Sequence, residues 1–267
     1  MNNGKKNVAS YSIFGDDDRY WGAVRGVVWA HHHIFPGWEI RFHHDERINV
    51  HGSLLLKYAK AGLVNLVDCG PTPPIGIGAL WRFKALWDTS TKYVLTRDVD
   101  SLPLIRDRLM VEEFISTGLP VHAISDHPDQ SWDMQAGMLG FLTPQFRNMV
   151  FFMSWESMVA KAGAFGINMS VWEGGPDQQL LGRLVWPLVA SKTCEHRLKG
   201  VTFRGGGAQF NEVKVVELPD VTPGVQKGAD GLMPFMGCPG FERDRVISFF
   251  KEHGNAETIR RLEEAEA

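Results

Sequence analysis

The chain reads as an α/β domain built on a largely parallel sheet. Three observations predict this. Short apolar, β-branched runs alternate with helical patterns. The connections between them are brief and carry Pro-Gly or a single Gly. One run, Tyr93 to Thr96, stops abruptly in Asp98-Val99-Asp100-Ser101. Carboxylates at the carboxyl end of a buried strand lie where open α/β sheets present their ligands.

Val8 to Phe14 (VASYSIF) reads as the first strand, ending in Gly15-Asp16-Asp17-Asp18. Tyr20, Val24, Val27 and Val28 then mark a helix, and the acidic loop suits the cap of its positive end as well as it suits a ligand role. Pro36-Gly37 turns the chain into Trp38 to His43, which alternates as a second strand. Leu54 to Ala61 is a helix closed by Gly62, and Leu63 to Val67 a third strand. A rigid then flexible loop, Pro71-Thr72-Pro73-Pro74-Ile75-Gly76-Ile77-Gly78, leads into an apolar helix over Ala79 to Leu86 carrying Arg82 and Lys84. Arg82 lies 16 residues before Asp98, so the chain can fold back and bring a cation to the acidic pair.

Beyond that pair, Ile105 to Ile115 reads as a helix ending at Gly118, and Val121 to Ser125 as a strand running into Asp126-His127-Pro128. Gln135 to Phe141 has small residues where a backbone can approach a ligand, or where a bulge can pack. Phe146 to Ala160 reads as one long helix. Trp172-Glu173-Gly174-Gly175-Pro176-Asp177-Gln178 opens another, with Pro176 in its first turn and Asp177 near its positive end. Val213 to Leu218 reads as a further strand, and the last 25 residues as a charged amphipathic helix. Neither a repeat nor a linker divides the chain, so residues 1–267 are expected to form one domain.

Composition narrows the function. A net charge of −3 gives no electrostatic reason to expect nucleic acid. Three cysteines without C-x-x-C spacing argue against a disulfide framework or zinc knuckle and suit a reducing cytosol, so a cytoplasmic location is expected. No signal-peptide pattern and no window of 18 apolar residues is visible. Ten histidines invite a metal. His31, His32 and His33 are consecutive, however, and fan around a helix axis, and no H-E-x-x-H pattern exists. Asp98 and Asp100 suit a hard divalent cation, Mg²⁺ or Mn²⁺, that takes oxygen ligands and leaves positions open for phosphate. The alternative is a solvated turn with a capping Asp. Nine tryptophans offer aromatic platforms for a sugar or base, although most suit packing.

Taken together, Tyr11 to Val24, Trp81-Arg82-Phe83, Arg97-Asp98-Val99-Asp100-Ser101, Ala136-Gly137-Met138 and Pro176-Asp177-Gln178 resemble, in that order, nucleotide-sugar glycosyltransferases of the GT-A fold. The likeness is greatest to retaining hexosyltransferases of the family-8 type and their bacterial and viral relatives, over residues 8–190. The resemblance implies a nucleotide-sugar-binding half over residues 8–130, an acceptor-side half over 131–240 and a C-terminal helix over 241–267. It implies Mn²⁺ or Mg²⁺ on Asp98 and Asp100, bridging the diphosphate of a donor, with UDP-sugar the expected one. Arg82 and Arg97 would reach the donor, Ala136 and Gly137 would line the sugar, and Asp177 and Gln178 would sit beside the reacting carbon. Tyr11, Ser12, Phe14 and Asp16 would border the nucleotide. The family's third metal ligand is a late His in a His-x-x-Gly-x-x-Lys pattern, for which His196 in His196-Arg197-Leu198-Lys199-Gly200 stands loosely. Gln135 replaces the Asn that often precedes Ala-Gly. Asp126, His127 and Trp172 are the acceptor-side expectation. The hydroxyl acceptor ranges over a glycan, a lipid-linked sugar, a protein or a modified DNA base.

The chemistry agrees with these roles. Breaking a sugar–phosphate bond develops charge on the leaving diphosphate, which a divalent ion and an arginine stabilise as it forms. Retention calls for a polar group beside an oxocarbenium-like centre, whereas inversion needs a carboxylate base, Asp177 or Asp126. Two other classes remain. A haloacid-dehalogenase-type phosphatase also uses Asp-x-Asp, but normally on its first strand. A non-catalytic sugar-binding module would use the tryptophans, yet need not keep both acidic motifs.

Overall fold

The computed structural model describes residues 4–125, 132–172, 175–197, 214–216 and 243–267. Its strands are β1 (Lys6–Ile13), β2 (Glu39–His44), β3 (Asn65–Asp68), β4 (Thr91–Arg97), β5 (Val121–Ser125), β6 (Met138–Leu142), β7 (Thr193–Arg197) and β8 (Lys214–Val216). They form one sheet in the order β3-β2-β1-β4-β6-β5-β7-β8. Every strand is parallel to its neighbours except β6, which runs antiparallel to both β4 and β5. The predicted α/β architecture, a mostly parallel sheet with helices on both faces, is what the chain adopts.

Strand alternation decides which face each side chain serves. On β1, Ala9, Tyr11 and Ile13 join Leu95 of β4 in one core, under helices α1 (Asp18–Ile34), α2 (Ile48–His51) and α3 (Ser53–Lys60). Val8 and Val94 join the opposite core. There α4 (Ile75–Ala79) runs straight into a 3-10 helix, Leu80–Trp87, so the helix predicted from Ala79 is mostly of the tighter form. Helix α5 (Ile105–Thr117) ends as predicted at Gly118, whose φ of 65° supplies the left-handed cap. It covers the first face behind β5 and β7, where Phe114 stacks on His122.

The long helix predicted over Phe146 to Ala160 is two, α6 (Thr143–Met149) and α7 (Trp155–Val159). Ser154 breaks it: its hydroxyl accepts from the Ser157 amide while the Ser157 side chain accepts from Ser154, a capping box that starts a new helix. Next come α8 (Pro176–Leu180), a π-helical turn at Leu181–Val185 and α9 (Trp186–Val189), all packed on the second face. The last 25 residues likewise form two helices, α10 (Arg243–His253) and α11 (Ala256–Glu266), with the Asn255 side chain capping the second. Both fold back on the first face, where Glu266 accepts from Arg25, Trp29 and Tyr58. Among the described residues no helix is long and apolar enough to cross a membrane.

Candidate active site

The carboxyl edge of the sheet gathers the acidic motifs. Thr96 and Asp98 continue the alternation of β4 onto the second face, where the 3-10 helix lies. Arg82, on that helix, is held by its backbone: its amide donates to Ser12 Oγ at 2.8 Å, and Ser12 Oγ donates to the Ala79 carbonyl. Its guanidinium then bridges two carboxylates. Nη1 donates to Asp98 Oδ1, and Nη2 to Asp177 Oδ2 at 3.0 Å. Ser12, Arg82, Asp98 and Asp177 thus form one connected network, from segments up to 165 residues apart (177 − 12).

The Arg82 and Asp177 side chains are buried, while that of Asp98 is 40% exposed and faces the opening. Burial pulls the Arg82 guanidinium down, but the charges of Asp98, Asp177 and Asp100 outweigh it and hold it above its ordinary value. Burial and then Asp98's charge, partly offset by Arg19, push the Asp100 carboxyl up. Burial also raises Asp177, against the pull of Arg82.

Gly137 lies against this network for a steric reason. A Cβ at that position would stand 2.9 Å from Asp98 Oδ1 and closer still to Oδ2 and Cγ. Antiparallel β6 brings it there, since its amino end meets the carboxyl end of β4, with Arg97 opposite Met138. The Ala136 carbonyl accepts from Thr96 Oγ1 at 2.8 Å, which fixes the segment. At the start of α8, Asp177 Oδ1 accepts from the Gln178 amide at 2.9 Å, and the half-buried Gln178 side chain lies beside Gly175.

The two acidic side chains supply oxygen donors of the hard type that Mg²⁺ and Mn²⁺ prefer, and their crowding is what a divalent cation would relieve. Among the described residues no three His, Cys, Asp or Glu side chains converge to hold an ion. Asp98 and Asp100 therefore offer carboxylate oxygens of the right kind, with no third such side chain beside them among the described residues.

No protein-family model matches the chain, and no curated protein sequence matches it. Among solved structures, it is similar to the glycosyltransferase GlyE of Streptococcus pneumoniae TIGR4, at 14% identity and a TM-score of 0.49, over 72% of this chain and 45% of that one. It thus spans under half the length of GlyE. It is also similar to 4-diphosphocytidyl-2C-methyl-D-erythritol synthase from Anaerococcus prevotii DSM 20548, at 14% identity and a TM-score of 0.46, over 94% of this chain and 98% of that one.

Several expected site residues lie elsewhere. His196 is on the face opposite Asp98: its Nδ1 meets His122 Nε2 at 2.8 Å and its Nε2 approaches Glu113 of α5 at 3.5 Å. One step in strand parity separates a ligand from this buried pair, so His196 does not join the acidic platform. Arg97 has the same parity and the same fate. It is buried in an ion pair with Asp107 of α5, Nη2 to Oδ1 at 2.8 Å, and its Nη1 donates to the Thr96 and Leu139 carbonyls. It braces the sheet rather than reaching a donor. Tyr11 is fully buried and stacks on Phe42 at 5.1 Å, so its ring serves the core rather than the open edge.

Phe14 is half-buried at the edge, against Trp81, and Asp16 is exposed and paired with Arg47 and His51. Trp172 is 51% exposed, just ahead of α8. Asp126 and His127 lie outside the described residues.

Two residues on this edge escaped the sequence reading. Asp45, fully buried at the end of β2, accepts from the Gly15 amide at 2.9 Å, the Thr72 hydroxyl at 2.5 Å and the Arg47 amide at 3.1 Å. It ties together three loops at this edge, and its place at a strand's carboxyl end was the available signal. The other is Arg19, in the first turn of α1, whose Nε stands 4.0 Å from Asp100 Oδ2.

Proposed function

We propose that this chain is a metal-dependent glycosyltransferase that moves a hexose or similar sugar from a nucleotide sugar, UDP-sugar in the first instance, to a hydroxyl acceptor. The observation that carries the reading is the Arg82 bridge between Asp98 and Asp177. It joins a cation-binding carboxylate, a phosphate-seeking guanidinium and the start of α8 in one network.

Asp98 and Asp100 would hold the divalent ion, which supplies charge to the departing diphosphate. Arg82 lies beside them, preorganised by Ser12, and adds charge without reorganising as the bond breaks. Gly137 leaves room for Asp98 and exposes backbone to the donor sugar. Asp177 holds Arg82 on one oxygen and caps the Gln178 amide with the other, so its role is to position both. Its burial favours retention, because a carboxylate with both oxygens engaged is poorly placed to take a proton from an acceptor. Gln178 then provides the polar contact beside the reacting carbon. A haloacid-dehalogenase-type phosphatase reading is disfavoured because its Asp-x-Asp normally lies on the first strand, whereas Asp98 follows β4.

Two variants test the assignment. Asp100→Ala should abolish Mn²⁺-dependent UDP binding along with turnover. Gln178→Ala should leave UDP–Mn²⁺ affinity nearly intact while lowering donor turnover, because its contact strengthens mainly in the transition state. Calorimetric titration with UDP and Mn²⁺, followed by timed hydrolysis of the donor, separates the two. Unchanged UDP–Mn²⁺ binding in Asp100→Ala defeats the metal platform.

A further inference from the structure

Each carboxylate of the acidic pair has an arginine beside it, but the two arginines differ. Arg82 is buried and braced through its backbone, with Asp177 as second partner. Arg19 is 52% exposed, on the first turn of α1, and its backbone amide donates to the Asp17 side chain. Its guanidinium lies 4.4 Å above the Tyr20 ring and donates to Tyr20 Oη at 2.5 Å. It spans Asp17 at 3.5 Å and Asp100 at 4.0 Å. Asp100 is only 12% exposed, and among the described residues Arg19 is the one cation within salt-bridge distance of it.

We propose that Arg19 is a donor-phosphate residue, which pairs with Asp100 and would turn to the donor diphosphate if that carboxylate held a metal. The inference rests on the metal-dependent reading above. Asp98 and Asp100 would hold the divalent ion, whose charge would offset that of Asp100 and leave the Arg19 guanidinium free for the diphosphate of a bound donor. A long, half-exposed side chain 4.0 Å from Asp100 would reach that diphosphate by rotation about its own bonds, and a planar guanidinium suits phosphate oxygens. Tyr20 remains as the flat surface over which it slides. Arg19 therefore opposes metal binding alone and favours metal with diphosphate, which couples the two loading events.

The test is a pair of titrations on the full chain. Free Mn²⁺ is followed by its paramagnetic resonance signal without nucleotide, and UDP is titrated calorimetrically at saturating Mn²⁺, with uridine as the phosphate-free control. Arg19→Gln is expected to bind Mn²⁺ alone about two- to fivefold more tightly, the range an exposed ion pair allows. The same variant is expected to bind UDP about tenfold more weakly, with uridine unaffected. Arg19→Lys should recover part of the UDP affinity. Arg47→Gln removes a similarly exposed charge at the same mouth, held on Asp16 at 3.2 Å, and should leave Mn²⁺ binding unchanged. Opposite shifts in the two affinities are a signature that loss of structure does not give. Unchanged UDP affinity in Arg19→Gln, or a fall in both affinities together, overturns the Arg19 role and leaves the proposed function standing. Absence of Mn²⁺-dependent UDP binding in the wild-type chain overturns both.

Discussion

Gly137→Ala separates the roles of site and fold at a single atom. The added Cβ would overlap the Asp98 carboxylate, standing 2.9 Å from Oδ1 and nearer to the other two atoms. Ordinary contact requires the nearest carboxylate oxygen to move by roughly 1.5–2 Å, and Asp98 can make that shift, because its side chain is rotatable and 40% exposed. The backbone at 137 is not left-handed, so Ala itself is tolerated there. The Arg82–Asp98 pair is lost, but its partial exposure limits the cost to about 1 kcal/mol. The reduced entropy of the unfolded chain returns roughly 0.4–1 kcal/mol. Melting should therefore move by no more than about 4 °C. Misplacing a metal ligand by this much should nevertheless cost at least about a hundredfold in function.

Gly140→Ala, three residues along the same strand, should do the reverse. Its Cβ would meet His122 Cβ at 3.1 Å, Leu95 Cδ2 at 3.2 Å and Phe114 Cε1 at 3.3 Å, all in a core that cannot yield. That overpacking should cost about 1–3 kcal/mol, with the platform intact. Thermal denaturation and UDP–Mn²⁺ titration of both variants decide the matter. Wild-type affinity in Gly137→Ala, or a melting loss as large as that of Gly140→Ala, refutes the reasoning.

Two further outcomes concern stability. Asp107→Ala should lose about 3–5 kcal/mol in chemical denaturation, because Arg97 is left buried and unpaired, whereas Arg97→Met with Asp107→Leu should recover most of it; a single-variant loss below about 1 kcal/mol contradicts the brace. Acid should weaken the fold through buried neutral histidines. Burial, reinforced by neighbouring cations, holds His31 and His122 well below the ordinary value and His43 at about 3. The unfolded chain takes up protons at these groups as pH falls through about 6.5 and the folded chain does not, so stability is full above that pH and lost below it. Between pH 7.5 and 5.5 the loss should be about 1.4 kcal/mol per histidine, or about 4 kcal/mol for the three. His31→Phe should remove about a third of that slope in urea melts, since neither ring nitrogen of His31 has a protein partner to lose; an unchanged slope excludes His31 as a contributor.

Much of the fold was legible because its strands are short, apolar and bounded by glycine. Val121 to Ser125 matches β5 residue for residue, and Gly118 closes α5 where a left-handed cap was expected. Helix interruptions were not legible. Ser154 and Asn255 sit inside apolar or charged periodic runs that continue across them, so only the caps themselves reveal the breaks. At the site, Asp98, Arg82 and Asp177 meet in one ion-pair network, drawn from three of the charged motifs that stood out in the sequence. His196 and Arg97 misled because strand parity, not residue type, decides which face a side chain reaches. Gly137 was read as room for a ligand, and its first occupant is Asp98. The partners of Arg19 and Asp45 were not legible, since tertiary placement sets them, although Asp45 follows the carboxyl end of β2.

The reversed direction of β6 also fixes which parts of the surface are open to engineering. The returns into the parallel strands, at Gly37 before β2, Gly62 before β3 and Gly118 before β5, all turn at the edge opposite the acidic platform, each with a positive φ. The exit from β6 at Thr143 turns there too, because that strand runs against its neighbours. A tag, reporter or tether spliced into one of these returns would hang from the far end of the sheet. A chain immobilised through the exposed Ser90 return before β4 would present its mouth to solution, with the whole length of the strands between the support and the chemistry.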